Sequence, residues 1–146
     1  MIKIAIVNGP NLIRVGQREP EIYGSVSLPA FLQSLQKEYE GRGVLLSLFF
    51  SHHEGALIEQ IYKEYDSGTD AFIINAGAYT HTSIALGDCL RSIDRPVVEL
   101  HLSNIFARET YRHHSYIAPH CTASLCGWGI EGYRMATEAL IHKLQH

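Results

Sequence analysis

The sequence Ile2-Lys-Ile-Ala-Ile-Val-Asn-Gly-Pro-Asn-Leu12 decides the fold, because it passes from an apolar strand directly into a loop of Asn, Gly and Pro. Residues 2–7 are nearly all apolar, as expected of a central parallel strand buried on both faces. The loop continues to Gly24, whereas a strand-to-helix connection usually takes roughly two to six residues. Leu12 and Ile22 give this loop apolar anchors. We therefore predict that residues 8–24 form an ordered active-site lid.

Strands and helices alternate along the rest of the chain. Further apolar strands are predicted at 44–50, 71–74, 96–102 and 122–126, with helices at about 28–40, 56–66, 83–93 and 129–144. Helical spacing places Tyr62 in the apolar stripe of the second helix, and Ile84, Leu86 or Gly87, and Leu90 on the inward face of the third. This alternation predicts one α/β domain over residues 1–146. Its doubly wound, five-stranded parallel sheet should have the flavodoxin-like order 2-1-3-4-5.

Composition excludes several classes of protein. The formal net charge is −3 and no Lys/Arg run occurs, so a nucleic-acid partner is not expected. No apolar run reaches the roughly 20 residues of a membrane span, and the N-terminus lacks the pattern of a signal peptide. Cys89, Cys121 and Cys126 have no metal or redox spacing and are expected to be reduced thiols. These features indicate a cytoplasmic protein without a membrane partner.

Polar residues crowd just after the first, third and fourth strands. In a doubly wound sheet the carboxyl ends of the strands meet at one edge, where ligands bind. The sequence therefore predicts a site at that edge, beneath the 8–24 loop. The residues concerned are Asn8, Asn11, Arg14, Arg18 and Tyr23, then Asn75, Tyr79, Thr80, His81 and Thr82, then Glu99, His101, Ser103, Asn104, Arg108, Arg112, His113 and His114.

Common cofactor motifs are missing from the places where they would act. No G-x-x-x-x-G-K-[ST] or G-x-G-x-x-G follows the first strand, which disfavours a nucleotide or flavin there. Nine histidines invite a metal site, but no H-E-x-x-H occurs, so no metal is predicted. A G-x-S-x-G nucleophile elbow is also absent.

What remains is acid–base chemistry on a small polyhydroxylated anion. Glu99 and His101 are two residues apart in a strand and share a face, so the carboxylate can orient and charge the imidazole. Arg14 and Arg18 lie in the same loop as Tyr23, and a nearby guanidinium favours phenolate. Three alternatives stay open: His101 as a satisfied core histidine and Tyr23 as a packing residue, a flavin-binding or receiver-type module, and a catalytically silent assembly protein.

Taken together, several ordered blocks resemble type II 3-dehydroquinate dehydratase over essentially the whole chain. The resemblance implies a flavodoxin-like enzyme that needs no metal or cofactor and dehydrates 3-dehydroquinate to 3-dehydroshikimate in the shikimate pathway. The blocks are Asn8-Gly-Pro-Asn-Leu12, Arg18-Glu-Pro-Glu-Ile-Tyr-Gly24, His53-Glu-Gly55, Asn75-Ala-Gly-Ala-Tyr-Thr-His-Thr-Ser83, Glu99-Leu-His-Leu-Ser-Asn104, Ala107-Arg-Glu109, Arg112-His-His-Ser-Tyr116 and Gly132-Tyr133.

The resemblance also implies a division of catalytic roles. Tyr23 matches the family's base, which removes a proton alpha to the ketone, and Arg18 matches the arginine that keeps it basic. Asn11 matches a residue that holds the enolate through a water. His101 matches the general acid for the departing hydroxyl, with Glu99 as its orienting carboxylate.

Substrate binding is implied for a second set of residues. Asn75, His81 and Arg112 match substrate-binding positions, and Leu102 and Ser103 match the clamp on the substrate carboxylate. The resemblance also implies a homo-oligomer, since members look like trimers assembled four at a time into dodecamers.

Asp88 matches a residue that reaches in from a neighbouring subunit. Three positions depart from the family pattern: Arg14 follows Ile13, Gly87 replaces a common Arg beside Asp88, and His52 replaces a small polar residue.

Overall fold

The computed structural model describes residues 1–16 and 26–146, in which five strands alternate with four α-helices. Short 3₁₀ turns occur at Leu12–Arg14, Gly77–His81, Ile105–Ala107, Thr110–Arg112, Ala118–His120 and Gly129–Glu131. The main elements are β1 (Ile2–Asn8), α1 (Leu28–Glu40), β2 (Val44–Phe50), α2 (Glu54–Asp66), β3 (Ala71–Asn75), α3 (Ile84–Ser92), β4 (Val97–His101), β5 (Ala123–Cys126) and α4 (Gly132–Gln145).

The strands form one parallel sheet in the order β2-β1-β3-β4-β5, which confirms the predicted flavodoxin-like topology. The central strand β1 is flanked by β2 and β3, and Asn8 at its carboxyl end pairs with Asn75 at the end of β3. From β1 the chain first adds β2 on one side of β1 and then crosses over to add β3 on the other side. The crevice at this switch point is the expected ligand site of such a sheet.

Helices cover both faces of the sheet. Helices α1 and α4 pack on one face through residues such as Leu32 and Leu140, while α2 and α3 pack on the other through Ile61 and Leu90. This double burial explains why β1 and β3 are apolar almost throughout. No helix in the described part of the chain is long and apolar enough to cross a membrane.

The ends of two helices follow from local backbone chemistry. The Ser27 side chain accepts a hydrogen bond from the Ala30 N–H at 3.3 Å and caps α1, as the sequence predicted. The last helix begins at Gly132 rather than near Gly129. Residues Gly129–Glu131 form a 3₁₀ turn instead, and the φ of 62° at Gly129 lies outside the α-helical region.

Two side chains predicted to face inward are exposed. Ile84 is 61% exposed because it is the first residue of α3, before the buried stripe that includes Leu86 and Leu90. Tyr62 is 39% exposed and its hydroxyl lies 2.8 Å from the Ser92 hydroxyl. Helical spacing predicted the buried stripe of both helices correctly, but it also assigned to that stripe two residues that are exposed.

Gly87 lies where α3 meets the segment before β5. A Cβ added to it would lie 2.5 Å from the carbonyl oxygen of Tyr116, so no larger residue fits without a backbone shift. This contact explains why the chain lacks a long side chain at the position before Asp88. The departure noted from the sequence therefore permits a close approach of helix and loop.

We expect Gly87→Ala to destabilise the protein by about 1–3 kcal/mol, because the methyl group overpacks a backbone contact. Gly55 in α2 is the matched control, since nothing lies within 4 Å of a Cβ added there. Gly55→Ala should stabilise by up to about 1 kcal/mol, the usual preference of a helix for Ala over Gly. Urea unfolding followed by circular dichroism measures both. Equal gains in the two variants would contradict the close approach at Gly87.

Candidate active site

A cavity of about 460 Å³ opens at the carboxyl edge of the sheet. Its size suits a small polar metabolite. Its walls come from the loops after β1, β3 and β4 and from the turn before α4, which is the edge that the sequence predicted. The described residues that line it are Pro10, Asn11, Leu12, Val15, Asn75, Gly77, Ala78, His81, His101, Leu102, Ser103, Ile105, Arg108, Arg112, Gly129 and Ile130.

Two glycines let the loops after β1 and β3 touch backbone to backbone. A Cβ on Gly9 would lie 2.4 Å from the Ala76 carbonyl oxygen. Gly77 has a φ of 59°, and a Cβ there would lie 3.2 Å from the Pro10 carbonyl oxygen. The Gly9 N–H donates to the Asn75 carbonyl at 2.7 Å. These contacts fix the first residues of the long loop against the floor of the cavity.

A buried tyrosine joins the carboxyl ends of β1 and β3 to α4. The Tyr133 hydroxyl donates to Asn8 Oδ1 at 2.5 Å and accepts from Asn75 Nδ2 at 3.0 Å. Tyr133 and Asn8 are 0% exposed and Asn75 is 2% exposed, so these polar groups depend on one another. Asn75 Oδ1 also accepts the N–H of Gly77 at 3.3 Å. The amide of Asn75 is therefore held in one orientation at the cavity wall.

Asn11 is held by a histidine on the neighbouring loop. It has a φ of 71°, which Asn tolerates better than most residues. Its N–H donates to Nδ1 of His52 at 3.1 Å, and the His52 carbonyl accepts the Tyr79 hydroxyl at 2.7 Å. His52, which departs from the family pattern, thus supports the backbone of a cavity residue.

Glu99 and His101 form a buried acid–base pair at the end of β4. They are 2% and 6% exposed, and His101 Nε2 lies 3.3 Å from Glu99 Oε2. The separation fits an ion pair, although the ring N–H is not aligned for a regular hydrogen bond. His101 lines the cavity while Glu99 lies behind it. The carboxylate can therefore support a proton on the imidazole without touching a ligand.

Hydroxyl donors keep Glu99 charged. Ser115 Oγ donates to Oε2 at 2.5 Å and Ser124 Oγ donates to Oε1 at 2.6 Å. Burial by itself raises the pKa of Glu99, but the close approach of His101 and the hydrogen bonds from Ser115 and Ser124 outweigh it, so the pKa lies below its ordinary value. Glu99 is accordingly a carboxylate at neutral pH.

The remaining wall carries a second histidine and two arginines. The ring of His81 stacks on His101 with centroids 6.2 Å apart, and its Nδ1 lies 2.8 Å from the His114 carbonyl oxygen. Arg112 Nε donates to Glu109 Oε2 at 2.7 Å, and Arg108 Nη1 donates to Ser103 Oγ at 3.3 Å. Two guanidinium groups at one wall suit a bound carboxylate.

The structure brings most of the predicted site residues to this one cavity. Asn11, Asn75, His81, His101, Leu102, Ser103 and Arg112 line it, and Glu99 supports it from behind. Asp88 lies on the exposed side of α3 and is not among the lining residues. Arg18, Tyr23 and the rest of residues 17–24 of the predicted lid lie outside the described residues, while residues 8–16 are described.

Sequence reasoning missed several residues that shape the site. Arg108 was noted at the edge of the sheet but given no role, although it lines the cavity. Nothing in the sequence marked Ser115 and Ser124 as partners of Glu99, since that depends on how separate segments meet.

The glycines of Gly127-Trp-Gly-Ile-Glu-Gly132 also shape the site, because they form the turn into α4. Gly127 has a φ of 95° and Gly129 has a φ of 62°, and a Cβ added to Gly132 would lie 2.8 Å from Leu100.

The described side chains offer acid–base chemistry and anion binding. No group of three or more His, Cys, Asp or Glu residues within 1–16 and 26–146 is arranged to hold a metal ion. The pair of Glu99 and His101 can supply a proton, and the arginines and amides can hold an anion with several hydroxyls.

Comparisons with known proteins agree on one family. The family model described as dehydroquinase class II matches residues 2–141. A protein named 3-dehydroquinate dehydratase from Rhodopseudomonas palustris is 48% identical over 97% of this chain and 93% of its own length. One of the same name from Caldicellulosiruptor bescii is 46% identical over 96% of this chain and 97% of its own. The crystal structure of a type II dehydroquinase from Butyrivibrio crossotus has a TM-score of 0.89 at 38% identity, covering 95% of this chain and 97% of that one.

We expect Tyr133→Phe to cost about 1–3 kcal/mol of stability, because it leaves buried groups of Asn8 and Asn75 without their shared partner. Tyr62→Phe is the matched control, because it removes the same hydroxyl group from an exposed tyrosine. Its free energy of unfolding should stay within about 0.5 kcal/mol of the wild-type value. Denaturant midpoints of the two variants measure the difference. Similar losses in both would show that the buried hydroxyl has no special role.

Proposed function

The chain belongs to the dehydroquinase class II family, and we propose that it is a 3-dehydroquinate dehydratase. It would eliminate water from 3-dehydroquinate through an enolate to give 3-dehydroshikimate, with no metal or cofactor. The observation that carries this proposal is the buried pair of Glu99 and His101 beside a cavity sized for a small metabolite. The full-length relatives of that name support the choice of substrate.

The first step needs a strong base, because the C–H bond next to the ketone is only weakly acidic. We assign this role to Tyr23 as a phenolate, with Arg18 as the cation that favours the charged form. Both assignments rest on the sequence. Asn11 would then hold the enolate oxygen through a water, and its left-handed backbone fixed by His52 gives it a defined position.

The second step needs a proton for the leaving hydroxyl, because hydroxide is a poor leaving group. His101 would donate this proton from the cavity wall. Glu99 would stabilise the imidazolium from behind, at 3.3 Å and shielded from solvent. Since base and acid come from different segments of the chain, they can act on opposite faces of the substrate, as an anti elimination requires.

Binding would use the polar rim of the cavity. Ser103 and the backbone at Leu102 would hold the substrate carboxylate, and Arg112, His81 and Asn75 would bind the ring hydroxyls and orient the ring. The amide of Asn75 is already fixed by Tyr133, which reduces the ordering needed on binding. The 8–24 loop would close over the bound substrate and exclude bulk water.

We further propose that residues 1–146 form a single domain that assembles as a homododecamer, a tetramer of trimers. Asp88 would enter the site of a neighbouring subunit, which fits its exposed position on α3 outside its own cavity. The enzyme would act in the cytoplasm, in the shikimate pathway towards aromatic amino acids, without a nucleic-acid or membrane partner.

Ultraviolet absorbance of the conjugated enone product tests the activity directly. The wild-type protein should convert 3-dehydroquinate, and Tyr23→Phe and His101→Ala should each lower kcat by about 10²–10⁴-fold. Tyr62→Phe and His142→Ala are matched controls outside the cavity and should retain activity. A chelator should have no effect, and borohydride with substrate should not inactivate the enzyme, because no imine on Lys forms.

Full activity in Tyr23→Phe would contradict the assigned base, and loss of activity on chelation would favour a metal enzyme. A protein that turns over no 3-dehydroquinate but purifies with bound flavin would instead be a binding module of the same fold.

A further inference from the structure

Both oxygens of the buried Glu99 carboxylate receive a serine hydroxyl. We propose that Ser124 and Ser115 are positioning residues: they hold Glu99 as an anion directed at His101 and thereby set the pH range in which the pair can deliver a proton. The inference rests on the proposed function for its link to turnover. The geometry itself concerns only described residues.

The register between β4 and β5 places Ser124 beside Glu99. In the parallel pairing of β4 with β5, Glu99 lies opposite Ser124, so their side chains project from the same face of the sheet. Ser124 Oγ donates to Oε1, the oxygen that His101 does not approach. Ser124 is exposed on the edge strand, whereas Glu99 is buried. A substitution there should leave the packing of the core unchanged.

Ser115 has a hydroxyl whose proton direction is dictated by its neighbours. Its oxygen accepts the N–H groups of Ile117 at 3.2 Å and Ala118 at 3.0 Å. Because both acceptor positions are occupied, the hydroxyl proton is left to Glu99 Oε2, 2.5 Å away. Ser115 therefore ties the carboxylate to the backbone of the segment before β5.

The two hydroxyls counteract the effect of burial. A carboxylate that is 2% exposed would take up a proton readily without donors, and a neutral carboxyl would no longer stabilise an imidazolium. With a hydroxyl on each oxygen, the anionic form is retained to lower pH. His101 Nε2 lies 3.3 Å from Glu99 Oε2, so protonation of the carboxyl removes the charge that faces the imidazole.

Other charged and titratable groups surround this pair: Arg108 and Arg112 line the same cavity, and Tyr133 lies on α4, which packs on β4. His81 stacks on His101 from the turn after β3, and His114 and His120 lie on the segment that carries Ser115. Cys121 packs nearby, and burial and the charge of Glu99 raise the pKa of its thiol to about 12. Cys89 on α3 also has a thiol pKa raised by burial, so neither thiol titrates in the acid range. Residue-resolved detection is needed to separate His101 from the other histidines.

The test is Ser124→Ala, with the His101 imidazole titrated by NMR in substrate-free protein and kcat measured against pH. Loss of one donor should raise the pKa of the Glu99 carboxyl, so the acid transition reported by the His101 ring and the acid limb of kcat should move to higher pH by about 0.5–1 unit. KM should not change, because Ser124 is not among the residues lining the cavity. Ser124→Thr keeps the hydroxyl and should restore the wild-type profile. Ser115→Ala should shift the titration in the same direction.

Ser47→Ala is the matched control, because Ser47 on β2 donates to Glu64 at 3.1 Å far from the site. It should leave the titration of His101 unchanged. An unchanged titration in Ser124→Ala would overturn the proposal, as would an equal loss of kcat at every pH that Ser124→Thr does not restore. If the titration shifts in a protein without activity on 3-dehydroquinate, the proposed function fails while the tuning of the pair stands.

Discussion

The buried negative charge at Glu99 constrains how the described part of the site is built. A carboxylate removed from water must be paired and hydrogen-bonded, and Glu99 meets this demand with donors from separate parts of the chain. Ser124 comes from the edge strand, Ser115 from the segment before it, and His101 from the same strand as Glu99. The register of β4 with β5 and the path of residues 115–118 are thereby coupled to the orientation of one imidazole.

A second hydrogen-bonded cluster, formed by Tyr133, Asn8 and Asn75, lies on the other side of the cavity. Tyr133 links Asn8 and Asn75, so the carboxyl ends of β1 and β3 are fixed to each other and to α4. Gly9 then allows the two following loops to touch. The cavity thus lies between two rigid clusters, one amide-rich and one acidic. Rigid walls suit a reaction in which donors must already be in place when charge develops on the substrate.

The sheet order and nearly all helices and strands could be predicted from the sequence, because apolar strands and helical stripes report burial directly. The edge of the sheet that carries the site followed from the same pattern. Contacts between distant segments could not be predicted: the pairing of Ser124 with Glu99 requires the strand register, and the approach of Gly87 to Tyr116 requires the packed loop. Two predictions were wrong for local reasons. Ile84 was expected to be buried but lies in the exposed first turn of α3, and α4 was expected to begin near Gly129, whose φ is positive.

The assigned roles separate the two bonds that the reaction breaks, since Tyr23 acts on the C–H bond and His101 on the C–O bond. His101→Ala should therefore still exchange the proton alpha to the ketone for deuterium when incubated with 3-dehydroquinate in D₂O, while releasing almost no enone. NMR of the recovered substrate measures this exchange. Deuterium in the substrate without product is the predicted result. A folded His101→Ala variant that neither exchanges nor eliminates, or that eliminates at the wild-type rate, would contradict the account.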